Sequence, residues 1–304
     1  MSGDSLDSDL LTVTVCNYWL KQFNIIERHL DESGRQAADA IHDLRVAARR
    51  CQSVAEACKP YLPAGWTRPI GQVLKPLRKA CDQVRDTEVL LDWLTSLPEP
   101  QLVTAGLLNA LRQQHADALL DLNKTIIKKK LKSQIHSLCN DILNKSAQTE
   151  PGTYQLEDTA AALLTARMAQ ITIYHHSVDR ASGPDAVAKE LHQLRIAGKQ
   201  FRYVLEMLQP ALNNSAGVLL ERFIHFQDSL GALHDRLRFS MMLKTLAENS
   251  TLLKTMPEQI FTSLDNELAR QKQLCWQDFH QLWKDMTAAQ LTRDILLTLT
   301  RPGG

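Results

Sequence analysis

Glycine and proline are scarce in this sequence, and their scarcity favours long helices. The 304 residues include 12 Gly and 11 Pro, while 44% are hydrophobic and only 6% are aromatic. Leu, Ala, Gln, Lys and Arg are plentiful, and these residues lose little conformational freedom in a helix. Alternating runs of Val, Ile and Thr, which would indicate strands, are missing. The composition therefore predicts an all-α protein with a sizeable core.

Other absences exclude further classes of protein. The six cysteines form no CxxC pair, so we expect reduced core residues and no metal site. No run approaches 18 apolar residues, and the start "MSGDSLDSDLL" lacks the basic and apolar parts of a secretory signal. A cytoplasmic protein without a membrane anchor is the expectation. A Walker loop, paired carboxylates and a nucleophile beside a base are also missing, so no catalytic residue or cofactor is predicted.

Neither sign of charge is in large excess overall, but positive charge is concentrated in one part of the chain. The chain has 35 basic and 34 acidic residues, a net charge of +1. Residues 41–85 alone contain nine Lys or Arg and three Asp or Glu. A neutral chain with a basic stretch predicts a focused positive site and not a generally cationic surface.

Short polar breaks divide the chain into eight predicted helices. Their approximate bounds are 10–32, 37–59, 68–96, 100–144, 157–180, 185–208, 214–248 and 257–298, and a break within the last of them is an open alternative. Pro76 predicts a kink or a late start in the third helix. The stretch "SAQTEPGTY" at 146–154 is the best linker. It predicts halves at 1–148 and 153–304 within a single domain, 1–304.

The two halves contain an internal repeat. "IHDLRVAARRCQSV" begins at Ile41, and "LHQLRIAGKQFRYV" begins 150 residues later at Leu191. A weaker match aligns "LRKACDQVRDTEVL" from Leu77 with "FQDSLGALHDRLRF" from Phe226. It places Arg85-Asp86 opposite His234-Asp235, which we expect to be buried polar pairs. The repetition predicts two four-helix bundles that arose by duplication and are related by pseudo-twofold symmetry.

A helical wheel of each repeated segment separates a polar wall from an apolar one. One wall of the first segment carries His42, Arg45, Arg49, Gln52 and Ser53, and the other carries Leu44, Ala48, Cys51, Ala55 and Cys58. In the second segment His192, Arg195, Lys199 and Arg202 oppose Leu194, Phe201, Leu205 and Leu208. Gly198 lies among the apolar residues, where it would permit close approach of another helix.

Cations at i, i+3 and i+7 repel one another, so an unscreened row is costly without a bound anion. Few carboxylates are within reach along these helices: Asp43, Glu56, Glu190 and Glu206. The walls are therefore expected to be nearly devoid of acidic groups. Phosphate suits such a row because Arg offers a planar fork and Lys a point charge. The third predicted helix adds Lys75, Arg78, Lys79 and Arg85.

The motifs in combination resemble the CHAD family, the conserved histidine α-helical domain. "HDLRVAARR" and "HQLRIAGKQFRY" resemble its two signature helices, and "VRDTEVLLDWL" and "FQDSLGALHD" resemble the segments that follow them. The resemblance implies two four-helix bundles, a basic groove or pore that binds inorganic polyphosphate, association with polyphosphate granules, and no catalysis. The ligand residues it implies are His42, Arg45, Arg49, Arg50, His192, Arg195, Lys199 and Arg202, with Lys75, Arg78 and Lys79 added from the third helix.

Some positions depart from the family pattern. Gln52 stands where Arg is common, Gln200 stands opposite Arg50, and Asp82 replaces the usual Gly, as Glu88 replaces an Asp. Weaker ligand binding by the first half is therefore expected.

Several alternatives remain open at this point. The same basic surface could bind nucleic acid, which is the second hypothesis, and a phosphohydrolase is a weaker third. Arg85 and His234 could contact ligand, as could Lys128 and Lys132 in the lysine-rich run "NKTIIKKKLK". Polyphosphate-metabolising enzymes or granule proteins are conceivable partners. No metal ligands are predicted from "YHHS" at 174–177, because no further ligand lies at a suitable spacing.

Overall fold

The described part of the molecule is entirely helical. The structure, a computed structural model, describes residues 11–32, 38–97, 105–147, 156–249 and 258–299, and every regular element in these ranges is an α-helix or a 3-10 turn. The α-helices are α1 Leu11–Glu32, α2 Ala38–Cys58, α3 Thr67–Thr95, α4 Ala105–Lys128, α5 Leu131–Ala147, α6 Leu156–Thr172, α7 His175–Asp179, α8 Ala188–Leu208, α9 Ser215–Asn249, α10 Glu258–Trp283 and α11 Ala288–Leu299. The prediction of an all-α protein is confirmed.

Three predicted helices are each divided in two. The predicted helix at 100–144 is interrupted after Lys128, where Lys130 adopts a left-handed φ of 49°. Since α4 packs on α3 and α5 packs on α1, the chain must change direction between them. The predicted helix at 157–180 likewise divides into α6 and α7, and the one at 257–298 divides into α10 and α11. Residues 100–104 and most of the predicted linker lie outside the described residues.

Helices within each sequence half pack on one another, and α2 and α8 connect the halves. In the first half α2 contacts α1 and α3, α3 contacts α4, and α1 contacts α5. In the second half α8 contacts α6 and α9, α9 contacts α10 and α11, and α11 contacts α6. The buried face of α2 also contacts α8, and one apolar core extends through both halves. A smaller core joins Trp93 of α3 to Phe239 of α9 and Leu268 of α10.

The repeated segment has the same local structure in both halves. Helices α2 and α8 are each 21 residues long and begin 150 residues apart. Each is followed by a 3-10 turn, Lys59–Tyr61 after α2 and Gln209–Ala211 after α8. Pro60 and Pro210 lie at the start of these turns, where the fixed φ and missing N–H of proline end the preceding helix. The repetition in sequence is therefore a repetition of one helix and its terminating turn.

Gly198 allows α8 to pack closely against α9, as predicted from its position among the apolar residues of the helix. A Cβ at this position would lie 2.7 Å from Gln227 Nε2 and 3.3 Å from Phe226 Cε1. Pro76, by contrast, lies inside α3, which begins at Thr67. The predicted late start of this helix at Pro76 is wrong.

The cysteines are core residues and form no disulfide. Cys16, Cys51, Cys58, Cys81 and Cys139 are buried, and Cys275 is half-buried. Burial raises the pKa of the Cys58 and Cys81 thiols to about 12, so both are protonated at neutral pH. Within the described ranges, none of the helices combines the length and apolar character required to span a bilayer.

Candidate functional site

Helices α2, α3, α8 and α9 surround a cavity of about 1000 Å³, which we name the basic cavity. Eight Lys or Arg side chains and five Asp or Glu side chains line it, together with three histidines. The excess of positive charge predicted from the sequence thus lines one cavity. A net positive lining with low-dielectric walls concentrates anions.

Most of the predicted site residues line the cavity. The lining includes His42, Arg45 and Arg49 of α2, Arg78 and Arg85 of α3, His192, Arg195 and Lys199 of α8, and His234 of α9. Gln52 and Ser53 also line it. The polar wall that the helical wheel assigned to α2 is therefore the face of this helix that lines the cavity. The opposite walls are buried in the core, which fixes the rotation of both helices about their axes.

Arg50 and Arg202 do not line the cavity, because both bind Glu206. Arg50 donates to the two carboxylate oxygens of Glu206 at 2.9 and 3.3 Å, and Arg202 Nε donates to Oε1 at 2.9 Å. The hydroxyl of Tyr18 donates to the same carboxylate at 3.4 Å. These contacts join α1, α2 and α8, so the two arginines stabilise the junction between the halves.

Four predicted lysines also lie outside the cavity lining. Lys75 and Lys79 are exposed on α3. Lys128 and Lys132 are exposed on either side of the turn between α4 and α5. The structure therefore does not bring these side chains to the basic row.

The cavity wall contains more carboxylates than were predicted from the sequence. Among them, Asp82 has the largest number of arginine partners. Arg49 Nη2 donates to Asp82 Oδ1 at 2.9 Å, and Arg78 Nη1 donates to Oδ2 at 2.8 Å. Arg45 Nη1 lies 3.7 Å from Oδ1. The expectation of a nearly carboxylate-free wall is wrong, because it considered acidic residues on the repeated helices alone and Asp82 is contributed by α3.

The α8 side of the cavity has no comparable ion pair. Neither Arg195 nor Lys199 has a carboxylate within 4 Å among the described residues, and the buried Nε of Arg195 has no hydrogen-bond partner there. Burial, followed by the charges of Arg195 and Arg49, lowers the pKa of Lys199 well below its usual value. Burial also lowers the pKa of Arg195. The lowered pKa values identify cations that are desolvated and repelled by their neighbours.

Two histidines of the lining form a direct pair. His192 Nδ1 lies 2.9 Å from His234 Nε2, and the rings are stacked with centroids 5.1 Å apart. His234 Nδ1 in turn lies 3.8 Å from Asp235. Burial is the largest cause that lowers the pKa of each histidine, and the charge of Arg195 lowers both further. At neutral pH both rings are therefore uncharged.

The predicted pair Arg85-Asp86 does not form. Arg85 Nη1 donates to Glu88 at 2.6 Å, whereas Asp86 forms a bidentate ion pair with Arg238. This pairing joins α3 to α9 across the cavity. Of the described residues, no set of three or more His, Cys, Asp or Glu is arranged as a metal site.

A family model for the CHAD domain matches residues 17–243, which include all four cavity helices except the end of α9. The chain belongs to the CHAD domain family. Solved structures agree in fold. PptA from Streptomyces chartreusis is 17% identical with a TM-score of 0.62, and the match covers 90% of this chain and 99% of PptA. The CHAD domain from the plant Ricinus communis is 18% identical with a TM-score of 0.63, and the match covers 98% and 96% of the two chains. None of the curated proteins matches this chain.

Several residues that line the cavity of this CHAD domain were not predicted from the sequence. They are the cations Arg238 and Lys244 of α9 and the carboxylates Asp82 and Asp235. Arg238 follows His234 by four residues, so it lies on the same helical face. The aligned segment from Phe226 already contains Arg238, and its four-residue spacing from His234 was the signal that could have identified it. Asp82 was noticed only as a departure from a glycine, and its three arginine partners come together only in the tertiary structure.

Proposed function

We propose that this CHAD domain binds inorganic polyphosphate in the basic cavity and does not cleave it. The observation that carries the proposal is the convergence of cations from four helices on one cavity. Polyphosphate presents charged oxygens along its whole length, and Arg and Lys form short, charge-assisted hydrogen bonds to such oxygens. Its binding would occupy cations that have no carboxylate partner, beginning with Arg195 and Lys199.

The energetics of the cavity favour an anionic ligand. Lys199 is desolvated beside Arg195 and Arg49, which keeps its pKa low. An anion placed among these side chains would compensate for the lost hydration and reduce the repulsion between them. The same argument applies to Arg195 and Arg45, whose pKa values are lowered first by burial.

The proposed ligand residues are the members of the predicted set that line the cavity, with Arg238 added. They are His42, Arg45, Arg49, Arg78, Arg85, His192, Arg195, Lys199, His234 and Arg238. We further propose that the two sequence halves are duplicated four-helix bundles. Support comes from the repeated helix and turn at α2 and α8, each of which contributes one wall of cations.

The arrangement favours binding over hydrolysis of phosphoanhydrides. A metal-dependent phosphohydrolase needs carboxylates that can coordinate Mg²⁺ beside the substrate. Here Asp82 and Asp86 bind arginines, and Asp235 lies 3.8 Å from His234 Nδ1. We therefore assign no Mg²⁺-coordinating role to these carboxylates. In the cell, a cytoplasmic location on polyphosphate granules, beside granule proteins or polyphosphate-metabolising enzymes, would follow from such binding.

The decisive experiment compares two double variants that remove the same charge. Arg195→Gln with Lys199→Gln removes two cavity cations, and Lys75→Gln with Lys79→Gln removes two exposed cations of α3. We expect the first to weaken binding of long-chain polyphosphate by about 100-fold, since each hydrogen bond to a charged group contributes roughly 1.5–3 kcal/mol. The second should change affinity less than about threefold. Equal loss in both variants would show that the exposed surface binds the ligand.

Competition separates polyphosphate from nucleic acid as the ligand. Labelled polyphosphate bound to the wild-type protein is titrated with unlabelled polyphosphate, RNA and ATP. Displacement by RNA at equal phosphate concentration would favour a nucleic-acid-binding protein, because phosphate contacts alone give little discrimination. Release of inorganic phosphate that requires Mg²⁺ would contradict the non-catalytic proposal.

A further inference from the structure

The carboxylate of Asp82 lies where three arginines of the first repeat converge. Both of its oxygens are used: Oδ1 accepts from Arg49 at 2.9 Å, and Oδ2 accepts from Arg78 at 2.8 Å. Arg45 Nη1 lies 3.7 Å from Oδ1. The side chain is 26% exposed and lines the basic cavity. A carboxylate that faces a cavity and holds three guanidinium groups has the contacts expected of one phosphate group of a bound ligand.

The second repeat lacks this carboxylate. In the internal alignment Asp82 is opposite Gly231, which has no side chain. A Cβ built on Gly231 would have Arg195 Nε at 3.9 Å as its neighbour, so a side chain here would also approach the row of cations. Across the described residues, Arg195 and Lys199 have no ion pair. A carboxylate therefore contacts the cations on the α2 side of the cavity, whereas on the α8 side Asp235 opposes the charges of Arg195 and Lys199 without an ion pair within 4 Å.

We propose that Asp82 is an internal competitor for the anion. Its carboxylate occupies the position that a phosphate would take among Arg45, Arg49 and Arg78, so a ligand must displace it to use these arginines. The inference rests on the proposed function. It assigns first contact with polyphosphate to Arg195 and Lys199, and it makes Asp82 a determinant of affinity.

A positioning role for Asp82 predicts the opposite result. If Asp82 held the arginines ready for ligand, its removal would weaken binding. If it competes with ligand, its removal strengthens binding even though the protein without ligand becomes less stable, because three arginines then repel one another without compensation. The sign of the change in affinity thus separates the two roles.

The test uses Asp82→Asn and Asp82→Ala, with Asp185→Asn as the matched control. Asp185 also lines the cavity, but its ion pair is with Lys272 of α10. Dissociation constants for long-chain polyphosphate are measured by calorimetry, and the melting temperature is measured with and without ligand. We expect the Asp82 variants to bind about tenfold more tightly, to melt at lower temperature without ligand, and to gain more in melting temperature from saturating polyphosphate. Asp185→Asn should change the dissociation constant by less than about twofold.

Each outcome separates this inference from the proposed function. Wild-type binding with unchanged or weaker binding by the Asp82 variants overturns the inference alone. Binding by the variants but not by the wild type supports the inference and overturns the proposed function. If neither the wild type nor any folded variant binds polyphosphate, the inference and the proposed function are both overturned. If the variants are unfolded without ligand, recovery of their helical circular dichroism on addition of polyphosphate supports the inference, and failure to recover overturns it.

Discussion

Lys199 illustrates at the residue scale how the proposed binding site opposes stability. Its ammonium group lies among Arg195, Arg49 and Arg45, and burial with these charges holds its pKa well below the usual value. A half-buried cation without a carboxylate within 4 Å costs folding free energy, and an apolar side chain of similar length avoids that cost. The residue is therefore better explained by a ligand than by the stability of the fold.

Replacing Lys199 with Met is expected to stabilise the protein and weaken binding. The free energy of unfolding in urea should rise by about 1 kcal/mol, since replacement of buried charges by apolar groups is often stabilising. Polyphosphate affinity should fall at least about tenfold, with loss of one charged contact. Lys244→Met, at an exposed residue of the same lining, serves as the control and should leave stability within about 0.5 kcal/mol. Destabilisation by Lys199→Met would mean that the ammonium group stabilises the fold.

At the scale of the helix, the contact of α8 with α9 positions two walls of the cavity. Arg195 and Lys199 are on α8, while His234 and Arg238 are on α9. Gly198 lies on the face between these helices, and a Cβ there would be 2.7 Å from the buried side chain of Gln227. The separation of the helices, and with it the spacing of the cations, depends on the missing side chain.

Two substitutions of helical glycine by alanine should therefore have opposite effects. Gly198→Ala is expected to destabilise the protein by about 1 kcal/mol, because overpacking outweighs the gain in helix propensity. Gly71→Ala in α3, where no atom lies within 4 Å of the added Cβ, should stabilise it by about 0.5–1 kcal/mol. Thermal and urea unfolding measure both. Equal stabilisation by the two substitutions would show that α8 and α9 can separate at no cost.

For the molecule as a whole, the cavity links folding and binding to pH in opposite directions. The pKa values of His42, His192 and His234 are all lowered in the folded protein, with burial as the largest cause. Below the usual histidine pKa of about 6.5 the unfolded chain thus binds more protons, and stability falls as pH falls. A bound polyanion favours protonated histidine, so affinity rises over the same range.

The expected result is a loss of stability and a gain in polyphosphate affinity between pH 7.5 and 5.5. Urea unfolding and calorimetric titration at several pH values measure the two quantities. The double variant His192→Gln with His234→Gln should flatten both dependences, while other titrating groups contribute equally to the variant and the wild type. A pH profile of affinity that is unchanged in this variant would exclude the histidine pair as its source.

Features that depend on local interactions were predictable from the sequence, whereas features that depend on packing between helices were not. The cavity face of α2 was predictable because helical periodicity alone places His42, Arg45 and Arg49 on one side. The break after Lys128 was not predicted, and the break in the last predicted helix was predicted without a position, because each depends on which neighbouring helices the two segments pack against. Arg202 was assigned to the basic row by the same periodicity, yet a salt bridge within its helix turns it toward Glu206.

The sequence by itself determined that the chain is helical, that one amphipathic helix is repeated, and that cations occupy matching positions of both copies, because these properties are local. Only the tertiary structure decided which cations share a cavity and which carboxylates reach them. Asp82 of α3 meets the arginines of α2, and Asp86 meets Arg238 across the cavity. The balance of charge in the site is a sum over four helices, and it depends on how they pack.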